Sequence, residues 1–270
     1  MPELPEVESL RRSLAPRLEG RRIDAVVVRE RRLRQSVPAG LEQALSGRRI
    51  EQVTRRGKYL LLAIGDHSLL IHLGMSGSLR WQPADSAPRR HDHADFVFGD
   101  EALRFHDPRR FGLIAWLAGS GHDSPLLATQ GPEPLEPGFD GAWLFAASRG
   151  RKAPIKTLLM DAHWLVGVGN IYASESLFRA GIRPTTPAGR LSLARCIRLA
   201  DAVRGVLAEA IAAGGSTLRD YVGSDGSPGH FQQLTSVYGR EAEPCRRCAT
   251  PVRQQSLAGR ATYWCPRCQR

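Results

Sequence analysis

KYLLLAIGDHSLLIHLGMSG spans residues 58–77 and holds two apolar runs, 58–64 and 68–73, on either side of a Gly65-Asp66 turn. A third run begins at Gly77, so the stretch predicts three consecutive short strands. Outward from it the same period continues, with strands predicted at 23–29, 50–56, 77–82, 94–98, 102–106 and 112–117. Eight short strands separated by Gly, Pro and Asp turns predict an antiparallel sandwich or barrel.

Before the strands, residues 5–19 predict a helix: Pro5 suits a first turn, Val7, Leu10, Leu14 and Leu18 form an apolar stripe, and Gly20 stops it. After them, 118–140 has linker composition, with Pro125, Pro132, Pro134 and Pro137 among glycines. Residues 141–213 read as helical, including an amphipathic run from Leu191 to Ala213, and 214–229 as a Gly-rich loop. The expected class is α+β: an N-terminal helix and β-sandwich over 1–130, a linker at 131–140, a helical domain over 141–235 and a cysteine module over 236–270.

Charge points to the partner. Lys and Arg number 38 against 27 acids, a net +11. The excess is uneven: 151–200 holds eight basic residues and two acids, while 101–150 holds four and six. A basic C-terminal half fits a polyanion such as nucleic acid. Only three of the basic residues are lysines, Lys58, Lys152 and Lys156. An Arg-rich codon bias explains most of that, and each retained lysine marks a place where a compact ammonium has a use. The acidic N-terminus (Glu3, Glu6, Glu8) is unlike a signal peptide, and no apolar stretch has membrane-spanning length. The expected location is the cytoplasm.

Cys245-x2-Cys248 and Cys265-x2-Cys268 lie 16 residues apart, a spacing that suits four thiolates around one zinc ion. Paired disulfides are the alternative, and a reducing cytosol disfavours them. Such a site has no open position, so the zinc is expected to be structural. It would hold a hairpin with Gly259-Arg260 near its tip. Cys196, inside a helix, reads as core.

The opening Met1-Pro2-Glu3-Leu4-Pro5-Glu6-Val7 allows removal of Met1, which leaves the secondary amine of Pro2. An α-amino group titrates near ~8 against ~10.4 for lysine, so more of it is free base at neutral pH. The helix dipole would depress that value further and Glu3 and Glu6 would raise it. The residues alone leave a nucleophile and an ordinary helix start as level readings.

Seven segments shift the balance: PELPEVE (2–8), RRGKYL (55–60), HLGMSG (72–77), DPRRFG (107–112), GVGNIYASE (167–175), VYGR (237–240) and GRATYWCPRC (259–268). In this order they resemble the bacterial formamidopyrimidine-DNA glycosylase family over essentially the whole chain. The resemblance implies a bifunctional glycosylase and lyase that acts in base-excision repair on duplex DNA carrying oxidised purines or abasic sites. It implies one structural zinc, a monomer and no obligate protein partner. It implies that Pro2 attacks C1′ to form a Schiff base, that Glu3 is the general acid and that Glu6 supports them. Lys58 and Arg260 would bind flanking phosphate and assist β- and δ-elimination. His72, Asn170 and Lys156 would belong to the DNA-binding set.

Met75, Arg109 and Phe111 match residues that fill the space left by the extruded base. The helical domain becomes a helix–two-turn–helix element, its first helix over about 154–161, with Asn170 as N-cap of the second and an anion site at its amides. The loop 214–229 would be a lid over the flipped base. His163-Trp164 departs from the expected local pattern. Rival readings are the sister family acting on oxidised pyrimidines, disfavoured by Leu4 and the Met75/Arg109/Phe111 set, and a non-catalytic DNA-binding paralogue, disfavoured by the presence of Pro2 and Glu3.

Overall fold

All eight strands expected in the first half form in the computed structural model, which describes residues 2–216 and 231–270. Helix α1 (Leu4–Leu18) is followed by β1 (Ala25–Val28), a short helix α2 (Leu41–Leu45), β2 (Gln52–Arg56), β3 (Tyr59–Ile64) and β4 (His67–His72). Then come β5 (Ser78–Pro83), β6 (Asp92–Phe98), β7 (Glu101–His106) and β8 (Leu113–Ala118). They make two antiparallel four-stranded sheets, β1-β6-β7-β5 and β2-β3-β4-β8. The stripe of α1 (Val7, Leu10, Leu14, Leu18) shares one core with Leu60, Leu62 and Ile71 of one sheet and Phe96, Leu103 and Phe105 of the other. A strand with one face on that core should alternate, yet 60–62 is continuously apolar. The reason is that Leu61 and Leu70 are buried on the opposite face with Leu113 and Leu127.

The chain divides into two compact units. The first runs through Ala128 and is rejoined by the segment from Ala213; the second holds 129–212 and 231–270. The second contains α3 (Gly141–Ser148), α4 (Ile155–Leu159), α5 (Asn170–Ala180), α6 (Leu193–Ala212) and the hairpin β9 (Arg253–Leu257) and β10 (Arg260–Trp264). Helices α3 and α5 pack on α6. Two tight turns follow α4, closed by Asp161 N–H to Leu158 O and Leu165 N–H to Asp161 O, and they deliver the chain to α5. The segment expected as a linker is bonded into this unit: Gly131 N–H donates to Ala162 O and Val166 N–H to Pro132 O. Trp164, the local departure, is buried with its ring 5.2 Å from Trp143. Among the described residues no helix is long and apolar enough to cross a membrane.

Candidate functional site

Helix α1 positions the N-terminus. Pro2, Glu3 and Glu6 are all buried. The Glu6 carboxylate, three residues into the helix, accepts the Glu3 N–H at 2.7 Å, the returning half of a capping box. Its other oxygen accepts the Ser216 N–H at 2.7 Å. One carboxylate therefore fixes the backbone beside Pro2 and the start of the segment expected as a lid. Residues 217–229 of that expected lid lie outside the described residues.

The β2–β3 turn carries Lys58, and Gly57 takes the left-handed φ of 56° that this tight turn requires. Arg55 braces the turn by donating to the Gly57 carbonyl (2.9 Å) and to Glu8 of α1 (3.2 Å). His72 ends β4 opposite Tyr59, their rings 4.6 Å apart. Burial, then the positive charges of Lys58 and Arg34, holds its imidazole down at about 4. Neutral at physiological pH, His72 uses Nδ1 to accept the Gly74 N–H at 3.0 Å, so its proton sits on Nε2. A neutral donor of this kind can serve a phosphate oxygen.

Met75 and Phe111 are among the few exposed large apolar residues, at 37% and 45%, and exposed Arg109 places its guanidinium 4.9 Å from the Phe111 ring. The two loops that present them are joined at Asp107, which is fully buried. Asp107 accepts Ser76 Oγ at 2.7 Å, the Gly112 N–H at 2.7 Å and the Arg109 N–H at 3.3 Å. His93 Nε2 donates to the Asp107 carbonyl at 2.7 Å. The loops approach so closely that a Cβ on Gly74 would lie 2.4 Å from the Phe111 carbonyl carbon. Sequence reasoning missed Asp107. The available signal was an Asp two residues before Arg109, the spacing of an Asx turn. Arg110, in the second of these loops, and His91, in the β5–β6 connection, hold φ of 55° and 75°, values non-glycine residues rarely adopt.

In the second unit Lys156, expected in the DNA-binding set, is 1% exposed. Its three ammonium protons meet Asn170 Oδ1 (2.6 Å), Thr262 Oγ1 (2.7 Å) and Ala261 O (3.1 Å). It ties α4 to α5 and to the zinc hairpin. The expectation of Asn170 as an N-cap is corrected. Gly169 caps α5, and Asn170 is the first helical residue, donating to Ala261 O at 2.9 Å. Arg260 opens β10 directly after the Ala258-Gly259 turn and is exposed. Its own carbonyl accepts Thr262 Oγ1, so this exposed guanidinium stands on a segment held at the carbonyls of Arg260 and Ala261 and at the Thr262 hydroxyl. Glu175, which sequence reasoning also missed, is a buried acid on α5. It accepts the N–H groups of Ser236, Val237 and Tyr238 at 2.8, 2.9 and 2.8 Å and anchors the approach to the cysteine module.

The ligand-capable sulfurs of Cys245, Cys248, Cys265 and Cys268 lie within 4.8 Å of one another. Two pairs are 3.5 and 3.9 Å apart, against about 3.8 Å for the edge of a tetrahedron with ~2.3 Å Zn–S bonds. All four are free of disulfides. The set fits one structural zinc. Behind it, Gln269 accepts the Cys265 N–H at 2.8 Å and donates to Ile182 O at 2.9 Å, which links the module to the end of α5.

Three family models match the chain in order. These are the formamidopyrimidine-DNA glycosylase N-terminal domain over residues 1–114, the H2TH domain of the same enzyme over 130–222, and a zinc finger found in FPG and IleRS over 242–270. The formamidopyrimidine-DNA glycosylase of Aromatoleum aromaticum is 59% identical over 270 residues, all of both chains. That of Methylococcus capsulatus is 55% identical, again over all of both. Among solved structures, the MutM (Fpg) protein of Thermus thermophilus superposes with a TM-score of 0.89 at 44% identity, covering 99% of this chain and 98% of that one. Lactococcus lactis Fpg bound to DNA containing an abasic site gives 0.92 at 35% identity, covering 99% of each.

Proposed function

The chain belongs to the formamidopyrimidine-DNA glycosylase family, and on that premise we propose that it excises 8-oxoguanine and formamidopyrimidines from duplex DNA and then cleaves the abasic strand. The observation that carries this reading is the joint exposure of Met75, Arg109 and Phe111 from loops pinned to one buried carboxylate. A thioether and a ring left in water, beside a guanidinium that can hydrogen-bond an orphaned base, suit a device that fills a vacated base stack. Work on bacterial DNA implies action in the cytoplasm.

The chemistry follows from the residues. With Met1 removed, the Pro2 nitrogen attacks C1′, the bond from C1′ to the base breaks, and the base leaves. Glu3 gives a proton to the ring oxygen as the sugar opens, which produces an iminium between Pro2 and C1′. The iminium acidifies the C2′ proton. Its loss expels the 3′ phosphate, and a second elimination expels the 5′ phosphate. Glu6 holds the Glu3 backbone, while Lys58, His72, Asn170 and Arg260 take the flanking phosphates. Zinc supplies rigidity to the Arg260 hairpin and takes no part in the bond changes.

Borohydride trapping on a duplex carrying 8-oxoguanine opposite cytosine tests the reading. The wild-type protein should form a covalent complex, and Pro2→Gly should lose it while still binding lesion DNA. Undiminished trapping by Pro2→Gly would move the nucleophile elsewhere, with Lys58 the first to check.

A further inference from the structure

The outer face of the β1-β6-β7-β5 sheet carries charges that the catalytic reading does not use. Across β6, β7 and β5 the register sets Asp95 opposite Arg104 and Arg104 opposite Arg80. Like charges directly opposed on antiparallel strands repel. Arg104 is compensated by a paired contact with Asp95 at 2.8 and 2.9 Å, and it lies 3.5 Å from Asp92. Asp92 is already engaged by His106 Nδ1 and the Arg89 N–H. Among the described residues Arg80 Nε is buried without a hydrogen bond, and so is the hydroxyl of Ser86 across the cavity. Burial, then the charge of Arg89, pushes the Arg80 guanidinium below its ordinary value, and the nearby Asp92 carboxylate offsets only part of this.

These groups line one cavity of about 130 Å³, with Arg80, Gln82, Ser86, Arg89, Arg104 and His106 in its wall beside the carboxylate of Asp92. That is far more than the roughly 10–15 Å³ of such space that a single water needs. We propose that this cavity is an anion site that takes a phosphate group on Arg80, with Arg89 and Ser86 completing its hydrogen bonds. A planar guanidinium with an unused Nε–H matches two phosphate oxygens side by side, and a bound anion adds to the partial compensation that Asp92 gives the arginines. The phosphate can belong to free inorganic phosphate or a nucleotide, or to the DNA backbone. The inference stands apart from the catalytic reading because it concerns the protein without a lesion.

The test follows the Arg80 Nε–Hε resonance, assigned by its absence in Arg80→Met, while inorganic phosphate is titrated at constant ionic strength. Saturable movement of that resonance is expected. A fall in phosphate affinity of roughly tenfold or more should accompany Arg80→Met, the usual weight of a charge-assisted pair. Arg80→Lys should fall between, keeping charge without the fork. If the natural ligand is a DNA phosphate, Arg80→Met also flattens the log–log salt dependence of duplex binding by about one. If it is free phosphate or a nucleotide, duplex binding is unchanged. An Arg80 resonance that phosphate does not move, or equal phosphate affinity in wild type and Arg80→Met, overturns the proposal.

Discussion

Each unit presents exposed side chains from turns too short to hold their own shape, and the two units solve that problem differently. In the first, Met75, Arg109 and Phe111 rest on a hydrogen-bonded carboxylate, Asp107. In the second, Arg260 rests on a four-cysteine cluster and on the buried ammonium of Lys156. The sandwich unit already has a large core, so one buried acid with several donors is enough to lock loops at its edge. The hairpin has little core beyond a small cluster around Phe178, Val237 and Val252, so it needs a metal. The comparison teaches that the amount of nearby core decides which kind of staple a functional turn requires.

The largest expected effect comes from breaking the metal staple. Cys248→Ser, or chelation of zinc, should unfold the hairpin and take lesion-DNA binding below detection while the sandwich stays folded. Circular dichroism, zinc content and DNA affinity measured together check this. Glu3→Gln is the contrast, expected to bind normally and lose chemistry. Tight binding without cleavage in zinc-free protein would make the metal catalytic instead.

Breaking the carboxylate staple should cost less but act on the other unit. Asp107→Ala strands Ser76 Oγ and two backbone N–H groups, a loss of roughly 3–5 kcal/mol in urea denaturation. Base excision should fall more than cleavage of a preformed abasic site, since the latter needs no base extrusion. Equal losses would show that the loops do not serve extrusion.

The pH dependence of His72 sharpens the comparison from within the first unit. Its folded value of about 4 lies below the ordinary 6.5, so between those values the unfolded chain binds a proton the folded one refuses. Stability should therefore decline as pH falls from about 6.5 to about 4, by up to roughly 3 kcal/mol, and be unaffected above that window. Urea denaturation of wild type and His72→Phe at both ends measures it. A difference that does not change with pH would mean the imidazole is less buried than it stands here.

The smallest effect is at the exposed end of the hairpin. Arg260→Ala should leave folding and zinc content intact and flatten the salt slope of binding to an uncleavable abasic analogue by roughly one. An unchanged slope would remove Arg260 from the phosphate contacts.

Much of this was legible in the residues. Period-two apolar runs and Gly-Asp turns define the eight strands because a pleated strand must alternate its faces, and the two CxxC knuckles define a metal site because tetrahedral thiolate geometry demands that spacing. The stripe of α1 is a local fact of the same kind, whereas composition alone makes Met75 and Phe111 core residues, and only the family resemblance singled them out. Partnership between distant residues was not legible. Lys156 reads as a surface cation until Asn170, Ala261 and Thr262, up to 106 positions away, surround its ammonium. Asp107 reads as a turn former until Ser76 and Gly112 close on it, and Arg80 as an ordinary strand residue until register sets it against Arg104. Local periodicity is written in neighbouring residues, whereas burial of a charge and the identity of its partners depend on which strands and helices meet, and only the folded chain decides that.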